Sequence, residues 1–134
     1  MVNYLAILVV TLIAYVFGMV WYSPSLFGNQ WMKLSGINKA QAKKSKKKGM
    51  LGKSLVSLVA SFVTAWILSV LVTLFEATTF LNGLVVGLCV WLGFIATTTL
   101  SSVLWEGKPF NLWVLNNSHS LISIALMAGI LAVW

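Results

Sequence analysis

Trp105-Glu106-Gly107-Lys108-Pro109-Phe110-Asn111-Leu112-Trp113-Val114-Leu115-Asn116-Asn117-Ser118-His119-Ser120 joins two long apolar runs and enters the second while still polar. It holds one of the two carboxylates in the chain, the only histidine and two of the seven tryptophans. A Gly-Lys-Pro turn flanked by tryptophans suits a chain that reverses at a membrane surface. Trp105 to Pro109 is read as the turn, and the next span is expected from about Asn111.

Working outward, the run after this turn extends from about Asn111 to Trp134, and the run before it covers about Leu81 to Leu104. A tight turn at Glu76 to Phe80 precedes that run. Before it lie a span from about Met50 to Phe75 and another from about Val2 to Tyr22, ended by Ser23-Pro24 because the residue before proline avoids the helical region. Each run has about 20 residues, enough to cross a hydrocarbon core of ~30 Å. The composition agrees: 60% of the residues are apolar and 8% charged, far from the balance of soluble domains. The expected fold is all-α: one domain over residues 1–134, an integral membrane bundle of four transmembrane helices. The first run lacks a basic leader and is longer than the roughly 7–15 apolar residues of a signal peptide, so it is read as a span.

The connection at about 23–52 is of two kinds. Leu26, Phe27, Trp31, Met32 and Leu34 sit among polar residues and suit a short helix in the headgroup layer, stopped by Gly36. Seven lysines then follow between Asn38 and Lys53, and Lys33 makes eight. The third connection carries Lys108 and the second has no lysine, so the positive-inside rule puts the first and third in the cytoplasm and both termini outside. The polybasic loop also suits anionic headgroups, at ~1 kcal/mol per lysine near the surface. All nine basic residues are lysines, which lack the planar fork that reads phosphates and guanine, so no nucleic-acid role is expected. One cysteine and one histidine make no metal centre, and no cofactor is implied.

Residues three and four apart share a helix face. The inward stripes expected are Tyr4, Leu8, Thr11, Tyr15, Gly18 and Tyr22 in the first span; Ser54, Ser57, Ser61, Thr64, Ala65 and Leu68 in the second; and Gly83, Gly87, Val90, Gly93, Thr97 and Ser101 in the third. In the fourth, Asn116, His119, Ser120 and Ser123 share one face. With the orientation above, Tyr15, Tyr22, Ser57, Ser61, Thr97, Ser101, Asn116, His119 and Ser120 gather in the cytoplasmic half and are the candidate pocket residues. Trp21, Trp31, Trp105, Glu106, Lys108 and Trp113 form an interfacial cluster on the same side. Ser118, Ala125, Gly129 and Ala132 make a second, small-residue face. Either a second copy of the chain covers it or it packs within one tight bundle.

An ionisable side chain inside a span points to function by default, and His119 suits anion binding or proton transfer. The plainer reading is a neutral imidazole hydrogen-bonded to Ser120, Ser123 or a facing hydroxyl. Asn116 and Asn117 serve equally as interhelical contacts. Glu106 is read as a turn residue paired with Lys108. The deep indoles of Trp66 and Trp91 need partners for their N–H groups.

Trp21-Tyr22-Ser23-Pro24, Phe27-Gly28 and Trp31-Met32-Lys33 resemble the opening motif of domain-of-unknown-function family seventeen sixty-one, which consists of small four-span membrane proteins. Trp91-Leu92-Gly93-Phe94 is similar to its central motif. Glu106-Gly107-Lys108-Pro109, Leu112, Asn116 and the ending Met127 to Trp134 resemble its C-terminal half. The resemblance covers nearly the whole chain and implies a multi-pass protein of a prokaryotic inner membrane. It implies no activity, substrate or catalytic residue.

The leading functional expectation is a homo-oligomeric membrane protein with a cytoplasm-facing polar pocket for a lipid headgroup or small solute, used in low-capacity transport or membrane organisation. Its partners would be membrane lipids, anionic ones included. The alternative is a structural or accessory subunit of a larger membrane complex. A channel needs polar lining through both leaflets, which the outer half lacks. A lipid-modifying enzyme needs clustered acid–base groups, which are scarce here, so no catalytic residue is assigned.

Overall fold

A computed structural model describes residues 2–47 and 49–134, without the side chains of residues 45–47. Lys48 and the side chains of Lys46 and Lys47, part of the lysine run, therefore lie outside the described residues. Every regular element described is helical: α1 Tyr4–Trp21, α2 Gly28–Ser35, α3 Lys39–Lys47, α4 Met50–Leu74, α5 Phe80–Leu104 and α6 Phe110–Val133. Four of them, α1, α4, α5 and α6, are long and apolar enough to cross a membrane. The molecule is a small multi-pass membrane protein.

Local chemistry sets the helix ends. The Asn3 side chain accepts from the Ala6 N–H at 3.2 Å to start α1, and the Thr79 hydroxyl accepts from the Asn82 N–H at 3.1 Å to start α5. A residue of positive φ follows the end of each of α2, α4 and α5: Gly36 at 73°, Glu76 at 52° and Gly107 at 69°. In each case the next N–H closes back on the last helical turn, as Ala77 does on the Val72 carbonyl at 3.0 Å.

Helix α6 is the hub. It packs on α1, α2, α4 and α5, while α1 pairs with α4. Ile7, Val10 and Ala14 of α1, Ala65, Leu68 and Val72 of α4, and Ile124, Met127 and Ala128 of α6 make the shared core. The closest pairing is α5 on α6. A Cβ on Gly83 would lie 2.8 Å from the Gly129 Cα, and one on Gly87 would lie 2.9 Å from the Ala125 Cα. Without a hydrophobic drive between helices in lipid, such close backbone approach supplies the packing attraction. The α1 and α5 C-termini and the α4 and α6 N-termini share the end with the lysine-bearing connection, here the lysine end. The opposite end carries the Glu76 turn.

The inward faces depart from simple periodicity in three places. In α1 the buried residues are Ala6, Ile7, Val10, Thr11 and Ala14, while Tyr4 and Leu8 are exposed. The branched and small side chains take the contact, and Tyr4 stays at the helix end. In α4 the buried residues begin only at Ala65, and Ser57 is exposed. In α5, Trp91–Ala96 is a π-helical segment. Its i→i+5 bonds interrupt the regular 3.6-residue repeat on which the expected stripe rests. Ala96 is buried there, whereas Gly93 and Thr97 face out.

Candidate functional site

The last turn of α1, the first turns of α6 and helix α2 converge at the lysine end. There His119 stacks on Phe17, with ring centroids 5.2 Å apart and planes 8° from parallel. Tyr22 and Trp21 lie beside it at 5.2 and 5.9 Å. Gly18 lies beneath the ring: a Cβ there would sit 3.5 Å from His119 Nε2, an ordinary contact. Phe27 packs on Trp21 at 4.5 Å, and Trp31 meets Tyr22 edge-on at 6.2 Å, so α2 closes the aromatic cage. Gly28 lets the chain turn this tightly, because a Cβ would overlap the Tyr22 carbonyl.

His119 does not make the hydrogen bond expected with Ser120 or Ser123. Ser120 donates to the Asn117 carbonyl at 3.1 Å, and Ser123 donates to Met127 Sδ at 3.8 Å. The imidazole turns instead toward the space above Gly18. Its Nε2 and the Trp21 Nε1 are both buried, and neither has a hydrogen-bond partner among the described residues. Two unpaired polar atoms in one cage are unusual in a settled interior.

Next to the cage, Tyr22 donates its phenol proton to Asn116 Oδ1 at 2.7 Å. Burial pushes the Tyr22 phenol up to about 12, so it remains a donor at any ordinary pH. Asn117 is buried and holds α5: its Oδ1 accepts from Thr99 at 3.1 Å and its backbone carbonyl accepts from Trp91 Nε1 at 3.0 Å. Trp91 also donates to Ser120 Oγ at 3.1 Å, which supplies the indole with the partner it needs. Trp113 Nε1 donates to Thr99 at 3.1 Å. Thr99 lies off the expected α5 stripe, which passes through Thr97 and Ser101, yet it is the threonine that bonds to Asn117 and Trp113.

Of the pocket candidates, Tyr22, Asn116 and His119 come together, while Ser120 bonds to Trp91 of α5 instead. Ser61 and Tyr15 are half-buried, and Ser57 is exposed on α4. Thr97 and Ser101 are exposed and bond within their own helix, to the Gly93 and Thr98 carbonyls at 2.8 and 3.0 Å. Trp21 and Trp31 of the interfacial cluster build the cage. Trp113 stacks on Phe110 at 5.5 Å, Trp105 is 86% exposed, and Glu106 pairs with Lys108 at 3.6 Å on the surface.

A cavity of about 480 Å³ opens beside the cage between α2 and α6. Trp21, Phe27 and Leu34 form its apolar wall. Gln30, Lys33, Asn111 and Ser118 supply its polar rim. A smaller recess of about 220 Å³ lies on the other side of α6, between Ser101, Ser102, Lys108 and Asn116. Among the described residues no group of three or more His, Cys, Asp or Glu could hold a metal ion.

The family model for a protein of unknown function, DUF1761, matches residues 5–132. The chain belongs to the DUF1761 family. No curated protein and no solved structure matches it. In this DUF1761 protein the residues of the opening motif have a common use. Trp21, Tyr22, Phe27 and Trp31 build the cage, and Gly28 permits the turn that brings α2 over it. The small-residue face of α6 is also accounted for. Ala125, Gly129 and Ala132 are seated against Gly87, Phe80 and Gly83 of α5, so packing within the bundle takes up the surface considered for a second copy. Ser118 stands apart from them, on the cavity rim.

Proposed function

We propose that this protein binds the headgroup region of an anionic amphiphile in the cavity between α2 and α6, as a binding protein rather than an enzyme. One observation carries the reading. The cavity combines an apolar aromatic wall with Lys33, Gln30 and Asn111 on its rim, at the end of the bundle where α2 suits the headgroup layer. Lys33 supplies a positive charge, Gln30 and Asn111 supply amide donors, and Trp21, Phe27 and Leu34 suit the first carbons of a chain. Its volume of about 480 Å³ falls within the roughly 300–1,000 Å³ usual for small-molecule sites. The unpaired nitrogens of Trp21 and His119 behind the wall favour a site that rearranges when occupied.

In this reading the lysine end faces the cytoplasm of a prokaryotic inner membrane, where the lysines concentrate anionic lipid around the cavity. Membrane organisation or slow lipid handling would be its use. A second copy is not required, because α5 already covers most of the small-residue face of α6.

Native mass spectrometry of the protein released in mild detergent tests the proposal. Wild type should retain phosphatidylglycerol in preference to phosphatidylcholine. Lys33→Glu should lose that preference while melting at the same temperature. Equal retention of both lipids by wild type and Lys33→Glu would remove the site. Stoichiometric copurification of a second protein in place of lipid would favour an accessory subunit.

A further inference from the structure

Helices α4 and α5 are joined by a turn of only a few residues, yet each packs mainly on another partner, α4 on α1 and α5 on α6. They splay apart and leave a cleft of about 610 Å³. It starts at Phe75 and Asn82 beside the Glu76 turn and runs along Val86, Cys89 and Val90 to Phe94. Asn82 carries the one side-chain amide in its lining. Val86 and Val90 are half-buried on its floor, and Phe75 and Phe94 are exposed at its rims.

We infer that this cleft holds one acyl chain of a membrane lipid, from the leaflet at the Glu76 end, with the ester region of the lipid at Asn82. Depth is the first argument. On α5 the lining runs twelve residue steps from Asn82 to Phe94, about 18 Å at ~1.5 Å per residue, while the α4 side contributes Leu71 and Phe75 next to the Glu76 turn. One leaflet of a ~30 Å hydrocarbon core is about 15 Å deep, so the α5 wall of the cleft reaches about the midplane. Polarity is the second. The amide lies at the interfacial end and the remainder is apolar, which is the polarity profile of a lipid chain below its ester. The inference is independent of the cavity between α2 and α6.

The test uses the full chain in vesicles of phosphatidylethanolamine and phosphatidylglycerol, doped with a phosphatidylglycerol that carries a diazirine midway along one acyl chain. On illumination, adducts should concentrate several-fold on Val86, Cys89 and Val90 over lipid-facing Leu55, Val59 and Leu92. Cys89→Phe at the rim and Val86→Trp at the floor should each lose that enrichment, with melting in detergent retained by at least one of them. Lys33→Glu should leave it unchanged. Adducts spread evenly over all lipid-facing positions would overturn the inference. So would unchanged enrichment in a variant that still folds. Rapid Cys89–Cys89 disulfide formation in wild-type vesicles would place a second copy at the cleft and overturn it as well.

Discussion

At the scale of single residues, the clearest local strain is at Glu76, whose φ of 52° places it in the left-handed region at the end of α4. The equivalent positions after α2 and α5 are Gly36 and Gly107, which adopt that conformation without a Cβ clash. Glu76→Gly should therefore stabilise the protein by roughly 0.5–1 kcal/mol, seen as a higher melting temperature in detergent. A lower melting temperature would mean that the Glu76 side chain has a role beyond the turn. Tyr22 and His119 make a contrasting pair. Tyr22→Phe removes the donor to Asn116 and should destabilise by about 1 kcal/mol. His119→Phe keeps the stack on Phe17 and removes a buried nitrogen that has no partner, so stability should hold or rise. A large loss in His119→Phe would show that the imidazole is bonded within the membrane. Tyr22 also sets a pH dependence. Its phenol, one residue beyond the α1 span, is raised from 10.0 to about 12 by burial. Its contribution is fully present below pH 10 and is lost as pH rises toward about 12, so alkaline melting should fall in wild type more than in Tyr22→Phe.

Among the helices, the α5–α6 pair is the most tightly specified. Gly83 and Gly87 have backbone or Cβ atoms of α6 within 3 Å of where a Cβ would be, whereas Gly93 has nothing within 4 Å. Gly87→Val should thus cost about 1–3 kcal/mol or more by forcing the helices apart. Gly93→Ala should be neutral or stabilising by up to about 1 kcal/mol, because only helix propensity changes. Equal effects at the two positions in a melting assay would contradict this packing. The π segment belongs to the same scale. Around it Trp91 bonds to the Asn117 carbonyl and Ser120, and Thr99 bonds to Asn117 and accepts from Trp113.

For the whole molecule, the alternating spans put both termini and the Glu76 turn at one end and the lysines at the other. If the lysine end is cytoplasmic, a cysteine at Thr78 should react with an impermeant reagent added to intact cells, and one at Gln41 should not, each in a Cys89→Ala background. The reverse pattern would invert the orientation and move the proposed headgroup site to the other leaflet. The two cavities relevant to lipid lie toward opposite ends of the bundle, so the variants that test one leave the other untouched.

The four spans were legible in the residues because length and apolarity alone decide whether a segment can cross a bilayer, and Pro24, Gly36, Gly107 and Pro109 mark several of the breaks. The pairing of Glu106 with Lys108 was legible too, since two residues in one turn have few other partners. Rotation about each helix axis was not. In a bilayer both faces of a span are apolar, so periodicity points only weakly inward, and it places Tyr4, Leu8 and Ser57 on an inward face they do not occupy. The π segment breaks the repeat within α5, and the stripe drawn through Thr97 and Ser101 misses Thr99. The aromatic cage depended on tertiary structure: it needs α2 folded back over α1, and nothing in the spacing of Phe27 and Trp31 says which helix they will cover. Helix α5, by taking the small face of α6, also decided that the glycines pack inside one chain. Close backbone approach is a property of two helices together, and one strand of sequence names the small residues without naming their partner.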